Sequence, residues 1–246
     1  MSLLSRIFHT APVRKDFAFL HTDMHSHILP GLDDGASNME EALGYCRALV
    51  SAGFQKAIFT PHIMMGVYPN QPQEIAQVAE RLSDELRWAN IALETSFAAE
   101  YMVDESLVER LQKNEPILEM QGGYVLIEMS YAAPSPYLES VVFQLQLQNK
   151  KPILAHPERY LYDHHTDHFE RLKDMGCALQ LNLLSLTDYY GPPVRKKALS
   201  LLKLGAYDFL GTDLHHLRHQ EALQALQTHT KTMDRLVAYP WCNKWL

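Results

Sequence analysis

Nitrogen and oxygen donor side chains stand directly after several short apolar segments of this chain. His25 and His27 are spaced by two, so on an extended segment both imidazoles face the same side. The other donors each follow a further apolar segment: His62, Glu100, Glu128, His156, Asp213 and His215. Mixed imidazole and carboxylate ligation is typical of zinc, manganese and iron sites. The set therefore predicts a transition-metal centre that performs hydrolysis.

Each donor taken singly also has an ordinary structural explanation. His62 follows a proline and fits a loop histidine, and Glu128 fits the solvated end of a strand. Coincidence explains the whole set poorly, because a donor follows nearly every predicted strand. His216 and His219 flank the last donor pair and are predicted to lie at the surface. The remaining histidines are given no role: His9, His164, His165, His168 and His229.

Repeated βα units are the elements that must position these donors. Short apolar runs alternate with amphipathic stretches, which is the pattern of parallel strands joined by helices. Seven such units predict a closed or nearly closed barrel, in which the carboxyl ends of the strands converge at one mouth. The donors are therefore expected to meet there. The predicted strands are Phe17–Met24, Ala57–Thr60, Ile91–Ala99, Tyr124–Ile127, Pro152–Ala155, Ala178–Leu181 and Tyr207–Leu210.

Capping residues mark where the helices begin and end. Ser37 and Glu40 form a capping-box pattern before a helix predicted over Met39–Ala52, and Gly53 stands where a C-cap belongs. Proline is tolerated in a first helical turn. Further signals predict helices from Pro72 to about Trp88 and from Pro136 to about Asn149, and helix ends at Gly176 and Gly205.

The composition fits one globular domain with an acidic surface. The chain has 246 residues, of which 47% are hydrophobic and 21% charged, enough for one core of ordinary size. Its formal net charge of -7 offers no basic field for a nucleic-acid backbone, so a nucleic-acid partner is not expected. An anionic substrate would need local positive charge, and bound metal is a source of it.

The cysteines argue against thiol chemistry. Cys46, Cys177 and Cys242 are odd in number and lack C-x-x-C spacing, so neither disulfides nor a thiolate zinc site is expected, and a reducing cytoplasm is the predicted compartment. A cysteine phosphatase needs an arginine six residues after its nucleophile, but Ala52 and Leu183 stand at those positions. No P-loop or G-x-G-x-x-G motif is present.

The first twenty residues form a distinct segment before the donors. Charged and polar side chains interrupt the apolar residues of Met1–Leu20, so neither a signal peptide nor a membrane span is predicted. A soluble extension is expected, and a short amphipathic helix lying on a membrane surface is the alternative.

Four motifs resemble those of the PHP (polymerase and histidinol phosphatase) superfamily. They are the fourteen-residue run from Asp23 to Ala36, which reads DMHSHILPGLDDGA, together with Thr60-Pro61-His62, His156-Pro157-Glu158-Arg159 and Thr212-Asp213-Leu214-His215. The similarity extends from about Phe17 to about Glu221 and is greatest to bacterial protein-tyrosine phosphatases found with capsular and exopolysaccharide genes. Thr212 and Leu214 replace small residues usual in the last motif, and the family usually begins close to its His-x-His strand.

The resemblance implies a distorted (β/α)7 TIM-like barrel of the PHP type over residues 17–246, preceded by an N-terminal extension over 1–16. It further implies three divalent ions, usually manganese, with iron or zinc as alternatives. The implied ligands are His25, His27, Glu100 and Asp213 for one ion, Glu100, Glu128 and His156 for a second, and Asp34, His62 and His215 for a third. Asp33 is an alternative to Asp34. Arg159 and Arg218 resemble the phosphate-binding arginines of the family.

The activity implied by the resemblance is hydrolysis of protein phosphotyrosine by a metal-activated hydroxide. The implied partner is a tyrosine-phosphorylated protein, namely a bacterial tyrosine kinase of polysaccharide export. One alternative is a phosphatase of the same superfamily that acts on a small metabolite such as histidinol phosphate. Another is a metal-binding regulator without turnover. Whether copies of the chain form a homo-oligomer stays open.

Overall fold

The protein consists of short parallel strands that are mostly followed by helices. A computed structural model describes residues 15–162 and 167–246. All strand pairs in the described residues are parallel, in one sheet of order β1-β2-β4 and a second of order β3-β5-β6-β7-β8-β9. The strands are β1 Thr22–Asp23, β2 Lys56–Phe59, β3 His62–Ile63, β4 Glu94–Phe97, β5 Glu100–Met102, β6 Tyr124–Glu128, β7 Lys151–Ala155, β8 Ala178–Asn182 and β9 Phe209–Gly211.

The predicted strands are found, but the first and the third are shorter than predicted and two further strands are present. The segment predicted over Phe17–Met24 contains only the two-residue β1, because Ala18–Leu20 form a 3-10 turn instead. The predicted strand Ile91–Ala99 narrows to β4, and β3 and β5 were not predicted at all. β3 directly follows Pro61, which cannot donate a ladder hydrogen bond. The α/β class with parallel strands is confirmed.

Eight helices fill most of the connections between the strands in the described ranges. They are α1 Met39–Ala52, α2 Pro72–Trp88, α3 Glu105–Gln112, α4 Leu138–Leu147, α5 Asp167–Asp174, α6 Pro192–Lys203, α7 Leu217–Leu226 and α8 Thr230–Val237. The predicted bounds of α1 and α2 are confirmed. The helix predicted to open at Pro136 begins two residues later, at Leu138.

The cap of α1 lies one residue beyond the predicted one. Asn38 is the N-cap, and its side-chain oxygen accepts the Glu41 N–H at 3.0 Å, while the Glu41 carboxylate accepts the Ser37 N–H at 2.9 Å. This is the reciprocal arrangement of a capping box, shifted by one position. The prediction that Ser37 and Glu40 cap the helix was therefore wrong. Gly53 ends α1 with φ of 104°, a conformation that favours glycine, as predicted.

Apolar side chains pack in two separate clusters. The larger cluster lies between the strands and the helices, and includes Leu49, Leu82, Leu145 and Leu201 from four of the helices. The smaller cluster gathers side chains from the opposite strand faces: Met24, Ile58, Ala98, Met120, Leu126, Ile153, Ala155, Phe209 and Leu246. Because side chains alternate along a strand, both faces of these strands are buried in apolar surroundings.

Backbone hydrogen bonds fix the segment after β1 between its two neighbours. The Asp213 N–H donates to the His25 carbonyl at 2.8 Å, and the His27 N–H donates to the Leu214 carbonyl at 2.9 Å. On the other side, the Thr60 N–H donates to the Ser26 carbonyl at 2.9 Å. The residues that follow β1, β2 and β9 are thus held side by side, and these residues carry several predicted ligands.

The predicted N-terminal extension lies almost wholly outside the described residues. Residues 1–14 and 163–166, which include His9, His164 and His165, are not described. Lys15 is described and donates its backbone N–H to Gln227 at 3.1 Å. Across residues 15–162 and 167–246, no helix combines the length and apolar character that crossing a membrane requires.

Candidate metal centre

Glu100 lies at the centre of the predicted donors. Its Oε2 atom lies 3.2 Å from His25 Nε2, 3.3 Å from His27 Nε2 and 3.2 Å from His62 Nδ1. Its Oε1 atom lies 3.1 Å from His156 Nε2. One buried carboxylate at the start of β5 therefore contacts four imidazoles from distant parts of the chain.

The remaining predicted ligands join the same cluster. Asp213 Oδ1 lies 3.3 Å from His25 Nε2 and 3.4 Å from His215 Nδ1. Glu128 Oε1 lies 2.9 Å from His62 Nδ1. Asp34 is exposed, and its Oδ1 atom lies 3.6 Å from the Nε2 atoms of both His62 and His215. Every residue predicted as a ligand thus lies among the others.

Four groups of these donors each have ligand atoms within 4.8 Å of one another, a spacing that could surround an ion. The groups are His25, His27 and Glu100; His25, His156 and Asp213; His62, Glu100 and Glu128; and His27, Asp34, His62 and His215. The implied first and third ligand sets largely coincide with these groups. In the implied second set, His156 accompanies Glu100 and Glu128, whereas the structure groups His62 with those two carboxylates.

Several buried donor atoms lie close to one another but make no hydrogen bond of acceptable geometry. They include His62 Nδ1, Glu100 Oε2, Glu128 Oε1 and His156 Nδ1. A buried polar atom without a partner costs about 1–3 kcal/mol, so such atoms are rare unless something else satisfies them. The concentration of unpaired nitrogens and carboxylate oxygens in one place fits bound divalent metal, whose ligands offer their lone pairs to the ion.

Asp33 and Asp34 take different positions in the cluster. The Asp33 side chain is buried, and its Oδ2 atom accepts the His62 backbone N–H at 3.0 Å and lies 2.8 Å from His27 Nδ1. An imidazole held at Nδ1 by a carboxylate presents Nε2 to a metal. Asp33 is thus engaged in orienting His27, while the Asp34 carboxylate points between His62 and His215.

Neighbouring charges and burial shift the pKa values of these groups in opposite directions. Burial alone would lower the pKa of His25, but the charges of Glu100 and Asp213 outweigh burial and raise it to about 9. Burial would likewise raise the pKa of Glu100, and the surrounding imidazoles hold that pKa well below its usual range instead. The imidazoles thus keep Glu100 ionised, and the ionised carboxylate is the form that binds metal.

Two of the donor-bearing residues adopt backbone conformations that few non-glycine residues adopt. His156 has φ of 33° and Asp213 has φ of 52°. Left-handed conformations of this kind cost about 1–3 kcal/mol and occur mainly where the surrounding structure requires them. His156 directly follows β7 and Asp213 lies two residues after β9, so the turn after each strand directs the side chain into the cluster.

Arg159 lies beside the donors in a cage of aromatic rings. Its Nη1 atom donates to Asp213 Oδ2 at 2.9 Å, and its guanidinium carbon lies 4.3 Å from the ring centroid of Tyr131 and 4.2 Å from that of Tyr190. These two cation–π contacts and the hydrogen bond to Asp213 hold the guanidinium in place. Arg159 lines the same cavity as the donors, which has a volume of about 590 Å³.

The other predicted arginine and the last two histidines take different positions. Arg218 is exposed on α7 and does not line the cavity, although its charge opposes the rise that burial causes in the pKa of Tyr189 at the cavity rim. His219 was predicted to lie at the surface, and this is wrong, because only 6% of it is exposed. The His219 ring packs against His215, and burial lowers the pKa of His219 to about 4. His216 is half-buried.

The thiols are unsuited to nucleophilic catalysis. Cys46 and Cys177 are buried, and burial raises the pKa of each to about 12. A nucleophilic cysteine needs the opposite shift, because the thiolate is the reactive form. The sequence also lacks an arginine six residues after either cysteine. Both observations exclude catalysis of the cysteine-phosphatase type.

The parallel α/β scaffold and the buried imidazole and carboxylate cluster at its strand ends define a candidate multi-metal protein. The chain belongs to the capsular polysaccharide synthesis family CpsB/CapC, which matches residues 21–238. It is 30% identical over 211 residues to the tyrosine-protein phosphatase YwqE of Bacillus subtilis, covering 83% of each chain. It is 25% identical over 208 residues to the tyrosine-protein phosphatase CpsB of Streptococcus pneumoniae, covering 79% of this chain and 83% of that protein.

A solved structure is similar as well. It comes from crystal structures of YwqE from Bacillus subtilis and CpsB from Streptococcus pneumoniae, described as unique metal-dependent tyrosine phosphatases. The TM-score is 0.75 at 26% sequence identity, with 89% of this chain and 95% of that chain covered. The resemblance predicted from the four motifs is therefore confirmed.

Proposed function

We propose that this protein is a metal-dependent protein-tyrosine phosphatase. The observation that supports this most directly is the meeting of nine donor residues, Glu100 and eight others from distant segments of the chain, beside one cavity, with several buried donor atoms that make no hydrogen bond. Membership of the CpsB/CapC family and similarity to proteins named tyrosine-protein phosphatases support the same activity.

The proposed site holds three divalent ions, with manganese as the favoured metal and iron or zinc as alternatives. Its ligands are His25, His27, Asp34, His62, Glu100, Glu128, His156, Asp213 and His215. Asp34 is preferred to Asp33, because Asp33 is already bonded to His27 and His62. Ions bound there would supply Lewis acidity and a hydroxide nucleophile at neutral pH. The four carboxylates carry less negative charge than three divalent ions carry positive charge, so the site attracts phosphate.

Arg159 is proposed to bind the phosphate group. Its guanidinium lies at the cavity wall and is held by two aromatic rings. The N–H groups that do not contact Asp213 can therefore bind a phosphate without rearrangement of the side chain. Charge that accumulates on phosphate oxygens during hydrolysis would be stabilised there. Arg218 is retained as a second, more peripheral phosphate contact that approaches from the Tyr189 side of the rim.

Aromatic and thioether side chains around the donors favour an aryl substrate. Tyr68, Tyr131, Tyr189, Met64 and Met102 line the cavity above the donors. Tyr68 is stacked on His62, with ring centroids 5.5 Å apart. A phenyl ring gains contact with such surfaces, and its phenolate leaves more readily than an alkoxide because a phenol has a pKa of about 10. Phosphotyrosine therefore fits this rim better than phosphoserine.

The fold proposed for this site is the distorted (β/α)7 barrel of the PHP type. Its support is the parallel bridge between Ser26 and Leu214, which joins the segment after β1 to the segment after β9. The single apolar cluster formed by the inner strand faces supports it too.

The proposed partner is a tyrosine-phosphorylated protein, namely a tyrosine kinase of polysaccharide export in the cytoplasm. The support is the family's description, which concerns capsular polysaccharide synthesis. Its test is dephosphorylation of the purified, autophosphorylated kinase by this protein.

A substrate panel tests the proposed activity. Phosphotyrosine peptide, phosphoserine peptide and histidinol phosphate are supplied to the purified protein with and without Mn²⁺, and released phosphate is measured. Selective hydrolysis of phosphotyrosine that a chelator removes and Mn²⁺ restores is expected. Preference for histidinol phosphate would instead indicate a small-molecule phosphatase. Bound metal without hydrolysis of any of the three would indicate a regulator.

Arg159→Ala is expected to lower kcat/KM for a phosphotyrosine peptide by about 10²–10³-fold, the usual effect of removing one group that stabilises developing charge. Metal content should stay unchanged, because Arg159 is not a ligand. Steady-state kinetics and elemental analysis measure both. The matched control is Arg171→Ala, which removes an exposed arginine that pairs with Glu139 at 2.8 Å and does not line the cavity. Equal kinetics for Arg159→Ala and wild type would exclude Arg159 from phosphate binding.

A further inference from the structure

β8 carries no predicted metal ligand, yet two polar side chains on it face the metal centre. Gln180 and Asn182 are spaced by two, so they project from the same side of the strand, and neither is exposed to solvent. A buried amide needs partners for both its oxygen and its N–H groups. The partners of these two amides include three of the proposed metal ligands.

Gln180 contacts two of those ligands with one oxygen atom. Its Oε1 atom lies 3.0 Å from His25 Nδ1 and accepts the backbone N–H of His156 at 3.3 Å. The orientation of the amide is fixed, because its Nε2 atom donates to the Leu181 carbonyl at 2.6 Å. A fixed carbonyl oxygen at His25 Nδ1 selects the tautomer with a proton there and leaves the Nε2 lone pair for the cluster.

Asn182 holds one oxygen of a third ligand. Its Nδ2 atom donates to Asp213 Oδ2 at 2.7 Å, and its Oδ1 atom accepts the Leu184 N–H at 2.8 Å, which fixes the amide. Arg159 bonds to the same Oδ2 atom. The second oxygen, Oδ1, faces His25 and His215. Asp213 Oδ2 therefore has two donors, and Asn182 holds it independently of Arg159.

Space for this arrangement depends on a glycine in β9. A Cβ atom at Gly211 would lie 2.7 Å from His25 Cβ and 3.0 Å from Gln180 Nε2. The first of these distances is shorter than side chains tolerate, so any larger residue would push the His25–Gln180 pair apart.

We propose that Gln180 and Asn182 are positioning residues of the metal centre, which set the tautomer of His25 and the rotamer of Asp213. This inference rests on the proposed function, since it concerns ligands of the proposed ions. β8 thus positions metal ligands, although it contributes no proposed ligand itself.

Binding of Mn²⁺ alone tests the inference without reference to activity. Gln180→Met and Asn182→Leu keep the side-chain volume and remove the polar contacts, and each is expected to bind Mn²⁺ about 10–100-fold more weakly than wild type in calorimetric titration. Gln180→Glu keeps an acceptor oxygen for His25 and is expected to bind more tightly than Gln180→Met. Gly211→Ala is an independent variant that crowds the pair while leaving both amides intact, and it too should weaken binding.

Asn243→Leu is the matched control. Asn243 is a fully buried amide that donates to the carbonyls of Thr22 and Leu210 and contacts no proposed ligand. This variant should melt at a lower temperature and bind Mn²⁺ like wild type. Wild-type affinity in folded Gln180→Met and Asn182→Leu would overturn the inference, as would equal weakening in Asn243→Leu. Failure of wild type to bind Mn²⁺ would overturn the proposed function itself.

Discussion

His27→Ala and His156→Ala are each expected to abolish hydrolysis of aryl phosphates while the protein stays folded. Both imidazoles contact Glu100, at 3.3 Å and 3.1 Å, so either substitution would remove a proposed ligand of an ion bound in the cluster. Without that ion the hydroxide nucleophile is lost. Turnover of phosphotyrosine peptide measures the effect, and circular dichroism with thermal melting checks the fold.

The control for these variants is another histidine. His229→Ala alters an exposed imidazole beside α8, away from the donors, and should leave turnover unchanged. If purified His27→Ala or His156→Ala hydrolysed the peptide as fast as wild type, that residue would have no place in the site.

Glu100→Gln is expected to remove at least one ion per chain and to reduce turnover to background. The substitution preserves size but replaces a carboxylate that faces four imidazoles, and an amide neither bridges ions nor balances their charge as a carboxylate does. Elemental analysis after dialysis measures the metal content, and peptide hydrolysis measures the turnover.

Glu94→Gln makes the same substitution one strand earlier. Glu94 is exposed and lies 3.4 Å from Lys56, outside the donor cluster. It should retain both metal and activity. Full metal content in Glu100→Gln would show that the carboxylate at the centre of the cluster is not a ligand.

The sequence predicted which donor side chains lie together, because most of them follow an apolar strand. His25, Glu128, His156 and Asp213 all stand at or just after predicted strands, and parallel strands place such residues at one edge. The strands β3 and β5 were not predicted, because they have only two and three residues. A segment that short is too brief to show the alternation of polar and apolar residues that identifies a strand.

The hydrogen-bond partners of the proposed ligands were not predictable in the same way. Gln180 lies 155 residues from His25 in the chain, and Asn182 lies 31 residues from Asp213, so no local pattern links either pair. The signal available was a pair of polar residues spaced by two on an otherwise apolar strand, which is unusual for a strand buried on both faces. Similarly, burial of His219 depends on the packing of α7 against the site rather than on its neighbours in sequence.

Anomalous diffraction from crystals grown with Mn²⁺ tests the central claim most directly. Data collected at the manganese absorption edge should show three peaks inside the cavity, each within about 2.0–2.4 Å of nitrogen or oxygen atoms from the nine proposed ligands. A protein that hydrolyses phosphotyrosine peptide in those crystallisation conditions, with no anomalous peak near Glu100, would contradict it.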